Sequence, residues 1–78
     1  GRGAAERGAA VRVTVLHRNG VTIASGEARV RDHNDDGDVL DAAARVAASR
    51  GRKVEKGMTI RVEEKTGGRW RLVRELIA

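Results

Sequence analysis

Residues 32–43 carry the sequence DHNDDGDVLDAA, which decides the fold prediction because it marks where strands give way to a helix. Asp38 is suited to cap a helix N-terminus, and Asp41 follows three residues later as in an acidic capping box. Carboxylates in a first helical turn also interact favourably with the helix dipole. We therefore predict that a helix begins at Asp38.

The predicted helix is amphipathic and ends near Gly51. Gly51 suits the left-handed conformation that commonly follows a helix, and Asp41 and Arg45 have the spacing of an i,i+4 ion pair on the outer face. Because the inner face is rich in alanine, we expect the helix to pack closely onto a sheet. The apolar residues that share this face at helical spacing are Val39, Leu40, Ala43, Val46 and Ala47.

The segment before the acidic stretch predicts a β-hairpin with strands at about 11–18 and 21–31. Asn19-Gly20 is a strong hairpin signal because both turn residues tolerate positive φ. A two-residue loop there pairs Val15 with Ala24, Leu16 with Ile23, and Arg12 with Glu27. One face of this hairpin is then apolar and forms the core. The outer face carries an apolar pair set among arginines, namely Leu16, Ile23, Arg12, Arg18, Arg29 and Arg31.

The C-terminal part predicts a second hairpin. Residues 58–64 alternate between apolar and polar, Thr66-Gly67-Gly68 forms the turn, and residues 69–76 return. A three-residue loop pairs Val62 with Leu72 and places Trp70 at the edge of the core. A two-residue loop mixes polar and apolar side chains on one face, so the three-residue loop is preferred. The alternative for residues 69–77 is a terminal helix, since their apolar residues also share one helical face.

The element order is therefore β-β-α-β-β, which defines one α+β domain; with a terminal helix it becomes β-β-α-β-α. We assign residues 1–10 to a flexible lead-in and residues 11–78 to the domain. A hairpin with a helix across it and further strands in the same sheet resembles the β-grasp arrangement. The fragment from Asp38 to Ala43 also resembles the helix start of β-grasp ferredoxin-like domains. The resemblance implies a binding module, and without cysteines it implies no iron–sulfur cluster.

Composition narrows the function further. The chain has 78 residues, no cysteine, one aromatic residue and a net charge of +5. Residues 32–38 contain four aspartates and no base, so an acidic island lies between two basic ends. Ser25 and Ser49 lack a base in any recognisable arrangement, and Glu63 and Glu64 point to opposite faces of a strand. We expect a protein that is not an enzyme and that needs no cofactor.

The acidic island also resembles an incomplete EF-hand or dockerin calcium loop of the form DxNxDG. Such a loop uses oxygen ligands at alternate positions, a glycine at position 6 and a bidentate carboxylate at position 12. Ala43 occupies position 12, so only a weak calcium site is expected. The alternative is a polar turn that leads into the helix cap. The ligands that the resemblance implies are Asp32, Asn34, Asp36 and Asp38.

Three functions remain open from the sequence. The first is a protein-interaction module whose partner, of acidic character, contacts Leu16, Ile23, Arg12, Arg29 and Arg31. The second is nucleic-acid binding, in which the loop residues Arg50, Arg52, Lys53 and Lys56 contact phosphates. The third is the weak calcium loop. A second copy of the chain, bound through a sheet face or edge, is also a candidate partner.

Overall fold

Two β-hairpins separated by a helix form the domain, as the sequence predicts. The computed structural model describes residues 9–78, in which the elements are β1 (Ala9–Leu16), β2 (Thr22–Val30), α1 (Asp36–Ser49), β3 (Thr59–Thr66) and β4 (Arg69–Ile77). The α+β class and the β-β-α-β-β order are confirmed, and residues 69–77 form a strand rather than the alternative helix. β1 begins within the predicted lead-in, of which residues 1–8 lie outside the described part.

The four strands form one sheet in the order β2-β1-β3-β4, and every neighbouring pair is antiparallel. Because β1 runs antiparallel to both β2 and β3, those two strands are parallel to each other, and α1 is the crossover between them. The helix packs mainly against β2 and β1, on one side of the sheet. The structure agrees with the β-grasp resemblance at the level of the α+β class.

An aliphatic core lies between the helix and the sheet. Gly26 on β2 faces the helix, and a Cβ built there would lie 3.6 Å from Cγ1 of Val46. Small residues on both elements therefore let them approach closely. Leu40, which we predicted on the inner face, is exposed, whereas Ala42 is fully buried. The buried residues are Val11, Val13, Val15, Ala24, Val30, Val39, Ala42, Ala43, Val46, Ala47, Met58, Ile60 and Val62.

The helix begins earlier than predicted. Asp35, not Asp38, is the N-cap, and its carboxylate accepts a hydrogen bond of 3.0 Å from the backbone N–H of Gly37. Asp38 lies within the first turn and accepts from the backbone N–H of Asp32 at 3.2 Å. Each of these neighbouring aspartates could cap a helix. The carboxylate of Asp38 instead bonds to Asp32 and closes the preceding loop, so Asp35 is the cap. The predicted end is confirmed: Gly51 has φ +69° and donates to the carbonyl of Ala48 at 3.0 Å.

Replacing Asp35 with alanine is expected to destabilise the domain by about 1 kcal/mol, because an N-cap acceptor is lost. Asp38→Ala removes a loop contact and a favourable charge in the first turn, and we expect a cost of about 0.5 kcal/mol. Urea denaturation followed by circular dichroism measures both. A larger cost for Asp38→Ala than for Asp35→Ala would contradict the observed cap.

The first hairpin keeps its predicted register in the core but not at its tip. Val15 pairs with Ala24 and Arg12 with Glu27, as predicted. Leu16, however, pairs with Thr22 after a bulge, so the predicted pair of Leu16 with Ile23 is wrong. The loop is longer than two residues: the N–H of Gly20 bonds to the carbonyl of His17, and the N–H of His17 bonds to the carbonyl of Val21. The bulge absorbs the extra residue and leaves the core pairs aligned.

The second hairpin also differs from its predicted register. Gly67 and Gly68 both have positive φ and form a two-residue loop, so Lys65 pairs with Trp70. The three-residue loop that we predicted is wrong. Beyond the loop the register shifts between Val62 and Glu63, which leaves Val73 as the extra residue of a bulge in β4. Because of this bulge, the face of the sheet that even-numbered residues of β4 occupy before Val73 is occupied by odd-numbered residues after it.

Candidate binding surface on the helix-free face of the sheet

The side of the sheet opposite α1 is its open face, which no helix or strand covers in the described part of the chain. Side chains alternate between the faces of a strand, so the residues between the buried positions point here. Cross-strand pairing places them in rows, such as Glu27 beside Arg12 and Arg12 beside Glu63. The open face comprises Arg12, Thr14, Leu16, Ser25, Glu27, Arg29, Thr59, Arg61, Glu63, Lys65, Trp70, Leu72, Glu75 and Ile77.

Trp70 lies on the open face, whereas we had predicted it at the edge of the core. The guanidinium carbon of Arg12 lies over its ring, 4.8 Å from the centroid. The ammonium of Lys65, its cross-strand partner, lies 5.9 Å from the same centroid. Both distances are within the range of a cation–π interaction. The one aromatic residue of the chain therefore holds cations on the open surface.

Arg12 is fixed from a second direction by an ion pair. Its Nε donates to Oε1 of Glu63 at 2.9 Å, and the side chains are 38% and 23% exposed, respectively. Arg12 lies on β1, Glu63 on β3 and Trp70 on β4, so the cluster spans three strands. A guanidinium held by a ring and a carboxylate loses little conformational freedom when it meets a partner.

Exposed apolar side chains also lie on the open face, with Leu72 next to this cluster and Ile77 at the other end of β4. Leu72 is 46% exposed and Ile77 is 62% exposed, both on β4. Leu16 is half-buried at the end of β1. Ile23, the second predicted anchor, packs against the core, so a partner can contact it less freely than Leu72 or Ile77. The sequence did contain a signal that Trp70 and Leu72 lie on this face. A two-residue loop puts them on one face together with polar residues, and the open face has this mixed composition.

Ion pairs and hydrogen bonds fix much of the remaining surface. Arg61 Nε donates to Oε2 of Glu75 at 3.1 Å, and the hydroxyls of Thr14 and Ser25 are 3.2 Å apart. Of the other predicted partner-binding residues, Arg29 lies on the open face. Arg31 is exposed just beyond the end of β2 and outside the sheet.

The predicted basic loop lies at the end of the sheet where β3 begins. Arg50 reaches across to β2, where its Nη2 donates to the carbonyl of Ser25 at 3.2 Å. Arg18 donates to the carbonyl of Lys56 at 2.9 Å and thereby joins the loop. Gly57 has φ +92°, a conformation that residues with a Cβ rarely adopt, so this position favours glycine. The predicted residues Arg52, Lys53 and Lys56 are exposed.

The acidic segment has a geometry unlike that of a calcium loop. Asp36, Gly37 and Asp38 belong to the first turn of α1, where they are not free to wrap around an ion. Asp32 accepts from the backbone N–H of Asn34 at 2.9 Å, and Asp36 pairs with Arg74. Within residues 9–78, no three His, Cys, Asp or Glu side chains are grouped to hold a metal ion. The segment thus provides turn and cap acceptors, and the EF-hand or dockerin resemblance has no support.

Comparisons with family models, with curated proteins and with solved structures give no match for this chain. In the part of the chain that the structure describes, no helix has the length and apolarity to cross a membrane.

Proposed function

We propose that the domain is a protein-interaction module that binds an acidic protein partner through the open face of its sheet. The observation that carries the proposal is the position of Trp70 and Arg12, which stack on each other beside the exposed Leu72. Tryptophan and arginine are enriched among the residues that contribute most to protein–protein affinity. An apolar centre with charged surroundings is also the usual anatomy of such interfaces.

Arg12 supplies the polar contact in this proposal. Guanidinium groups have five N–H donors, and the ion pair with Glu63 uses the one on Nε. The terminal amino groups are suited to a bidentate bond with a partner carboxylate. Because Trp70 and Glu63 already orient the group, the partner meets it in a preorganised state.

The charge of the chain favours an acidic partner. Its net charge is +5, whereas the open face itself carries four basic side chains against Glu27, Glu63 and Glu75, a balance of +1. A chain of this net sign accelerates the encounter with an acidic protein and disfavours basic ones.

Nucleic-acid binding is the second candidate, and the basic loop favours it. The contact of Arg18 with the carbonyl of Lys56 gives this loop a defined shape, with Arg52 and Lys53 exposed. Single-strand recognition usually adds aromatic stacking, but a base on the ring of Trp70 would have to displace Arg12. This candidate therefore rests on phosphate contacts alone, and we rank it below the protein partner.

Site-specific photo-crosslinking distinguishes the two candidates. A benzophenone amino acid replaces Glu27, which is exposed on the open face, or Lys53, which is exposed on the basic loop. Each purified protein is irradiated in an extract of the source cells, and the adducts are identified by mass spectrometry. We expect position 27 to capture one acidic protein, in a reaction that excess unmodified domain suppresses. Capture only from position 53, or of nucleic acid alone, would overturn the proposal.

A further inference from the structure

The two edge strands of the sheet, β2 and β4, differ in how their backbones are covered. An edge strand presents unpaired N–H and C=O groups to which another strand can bind. On β2, arginines from α1 and its C-terminus occupy these groups. Arg45 Nη2 donates to the carbonyl of Arg29 at 3.1 Å, and Arg50 Nη2 donates to the carbonyl of Ser25 at 3.2 Å.

The edge of β4 has no comparable cover among the described residues. The N–H of Ala78 donates to the carbonyl of Met58 at 2.8 Å. The N–H of Ala78 therefore points toward the side on which β4 pairs with β3. Since the bonding direction alternates along an antiparallel pair, the backbone groups of Glu75 and Ile77 point away from β3. They form the beginning of an accessible strand edge.

The arginines of β4 lie on one face of the sheet, and most of its apolar side chains lie on the other. Arg69, Arg71 and Arg74 pair with Thr66, Glu64 and Val62, which places them on the side of the sheet that carries the helix. Trp70, Leu72 and Ile77 lie on the open face. Without the bulge at Val73, Arg74 would share the open face with Leu72. The bulge therefore keeps the three arginines on one face, together with Leu76, and keeps Trp70, Leu72 and Ile77 on the other, together with Glu75.

We propose that β4 accepts an extended segment of the acidic partner by strand addition, and that this segment alternates acidic and apolar residues. Its backbone bonds to the outward groups of β4, as in other β-augmentation complexes. Its acidic side chains lie beside Arg69 and Arg71, and its apolar side chains lie beside Leu72 and Ile77. Arg74 is already paired with Asp36. This inference rests on the proposed function and names the partner's chemistry.

A second copy of the chain fits this edge less well. Two β4 strands joined edge to edge would place Arg69, Arg71 and Arg74 of both copies on the same side of the continuous sheet. Each copy also carries a net charge of +5. Like charges on neighbouring strands are destabilising, whereas an acidic segment neutralises them.

Peptide binding to the isolated domain tests the inference. The probes are an eight-residue peptide of alternating Glu and Val, one of alternating Lys and Val, and one with four Glu followed by four Val. We expect the alternating Glu-Val peptide to bind at least tenfold more tightly than the other two. Hydrogen exchange of the backbone amides of Glu75 and Ile77, followed by NMR, is expected to slow at least tenfold in the complex.

A charge-exchange variant supplies the matched control. Arg69→Glu with Arg71→Glu is expected to reverse the preference, so that the Lys-Val peptide binds at least tenfold better than the Glu-Val peptide. Arg52→Glu with Lys53→Glu makes the same change of net charge on the basic loop, and at 0.15 M salt we expect less than a threefold effect. All four residues are exposed, and circular dichroism verifies that both variants fold.

Three outcomes would overturn the inference. They are unchanged exchange at Glu75 and Ile77, equal effects of the two double variants, and sedimentation showing a dimer in which these same amides are protected. If the peptides fail while position 27 still crosslinks an acidic protein, strand addition is wrong and the proposed function stands. If the peptides bind as expected while position 27 captures nothing, the edge is a binding site and the role of the open face is wrong.

Discussion

Replacing Ile60 with alanine is expected to lower the free energy of unfolding by about 3 kcal/mol, because the side chain is completely buried between the helix and the sheet. A domain of this size has a total stability of roughly 4–10 kcal/mol, so the loss is a large part of the whole. Each kcal/mol lowers the midpoint of thermal unfolding by about 4–8 °C. The expected shift is therefore roughly 12–24 °C.

Ile77→Ala is the matched control for this prediction. It makes the same chemical change in the neighbouring strand, but Ile77 is 62% exposed on the open face. Surface substitutions of this kind usually change stability by less than about 0.5 kcal/mol. Differential scanning calorimetry of the two variants measures the contrast. Equal losses would contradict the assignment of the two faces of the sheet.

Leu72→Asp is expected to weaken binding of the acidic partner by at least about 2 kcal/mol, or roughly thirtyfold, as for a central contact residue of an interface. The substitution removes an apolar contact beside Arg12 and Glu63 and adds a charge of the partner's own sign. Stability should change little because Leu72 is 46% exposed. Isothermal titration calorimetry with the partner captured by crosslinking measures the affinity.

Leu40→Asp is the control for the binding prediction. Leu40 is exposed on α1, on the other side of the sheet, and the substitution makes the same change of charge and size. We expect less than a threefold loss of affinity. If both variants weaken binding equally, the effect comes from net charge, and the open face is not the contact surface.

Alternation and helical spacing predicted the class and the element order of this domain. Val11, Val13 and Val15 are separated by polar residues, so only one face of β1 has the hydrophobicity to be buried. Ala43, Val46 and Ala47 similarly specify a narrow apolar stripe on the helix. These patterns report how each element meets the core, and the structure confirms them.

The hairpin tips were harder to predict because a loop and a bulge can compensate each other. We predicted two loop residues around Asn19-Gly20 and three around Gly67-Gly68, and the structure has a longer loop and a two-residue loop, respectively. In the first hairpin a bulge keeps the core residues in their predicted pairs, whereas in the second Val62 pairs with Arg74 and not with Leu72. Core pattern alone therefore does not determine the register at the turn.

The candidate site was only partly accessible from sequence for the same reason. Arg12 was assigned to the surface because it alternates with buried valines. Trp70 was assigned to the core edge because the three-residue loop that we predicted places it there. The two-residue register of the second hairpin places it opposite Lys65, where Arg12 covers its ring. Its role depends on a contact between strands that are distant in sequence.

NMR cross-saturation tests directly the claim that the open face contacts the partner. The domain is labelled with ²H and ¹⁵N, the unlabelled partner is saturated, and the attenuated amides are recorded. We predict attenuation at Arg12, Thr14, Glu63 and Leu72, with none along α1. Attenuation confined to the basic loop at Arg52 and Lys53, or to the helix, would contradict the claim.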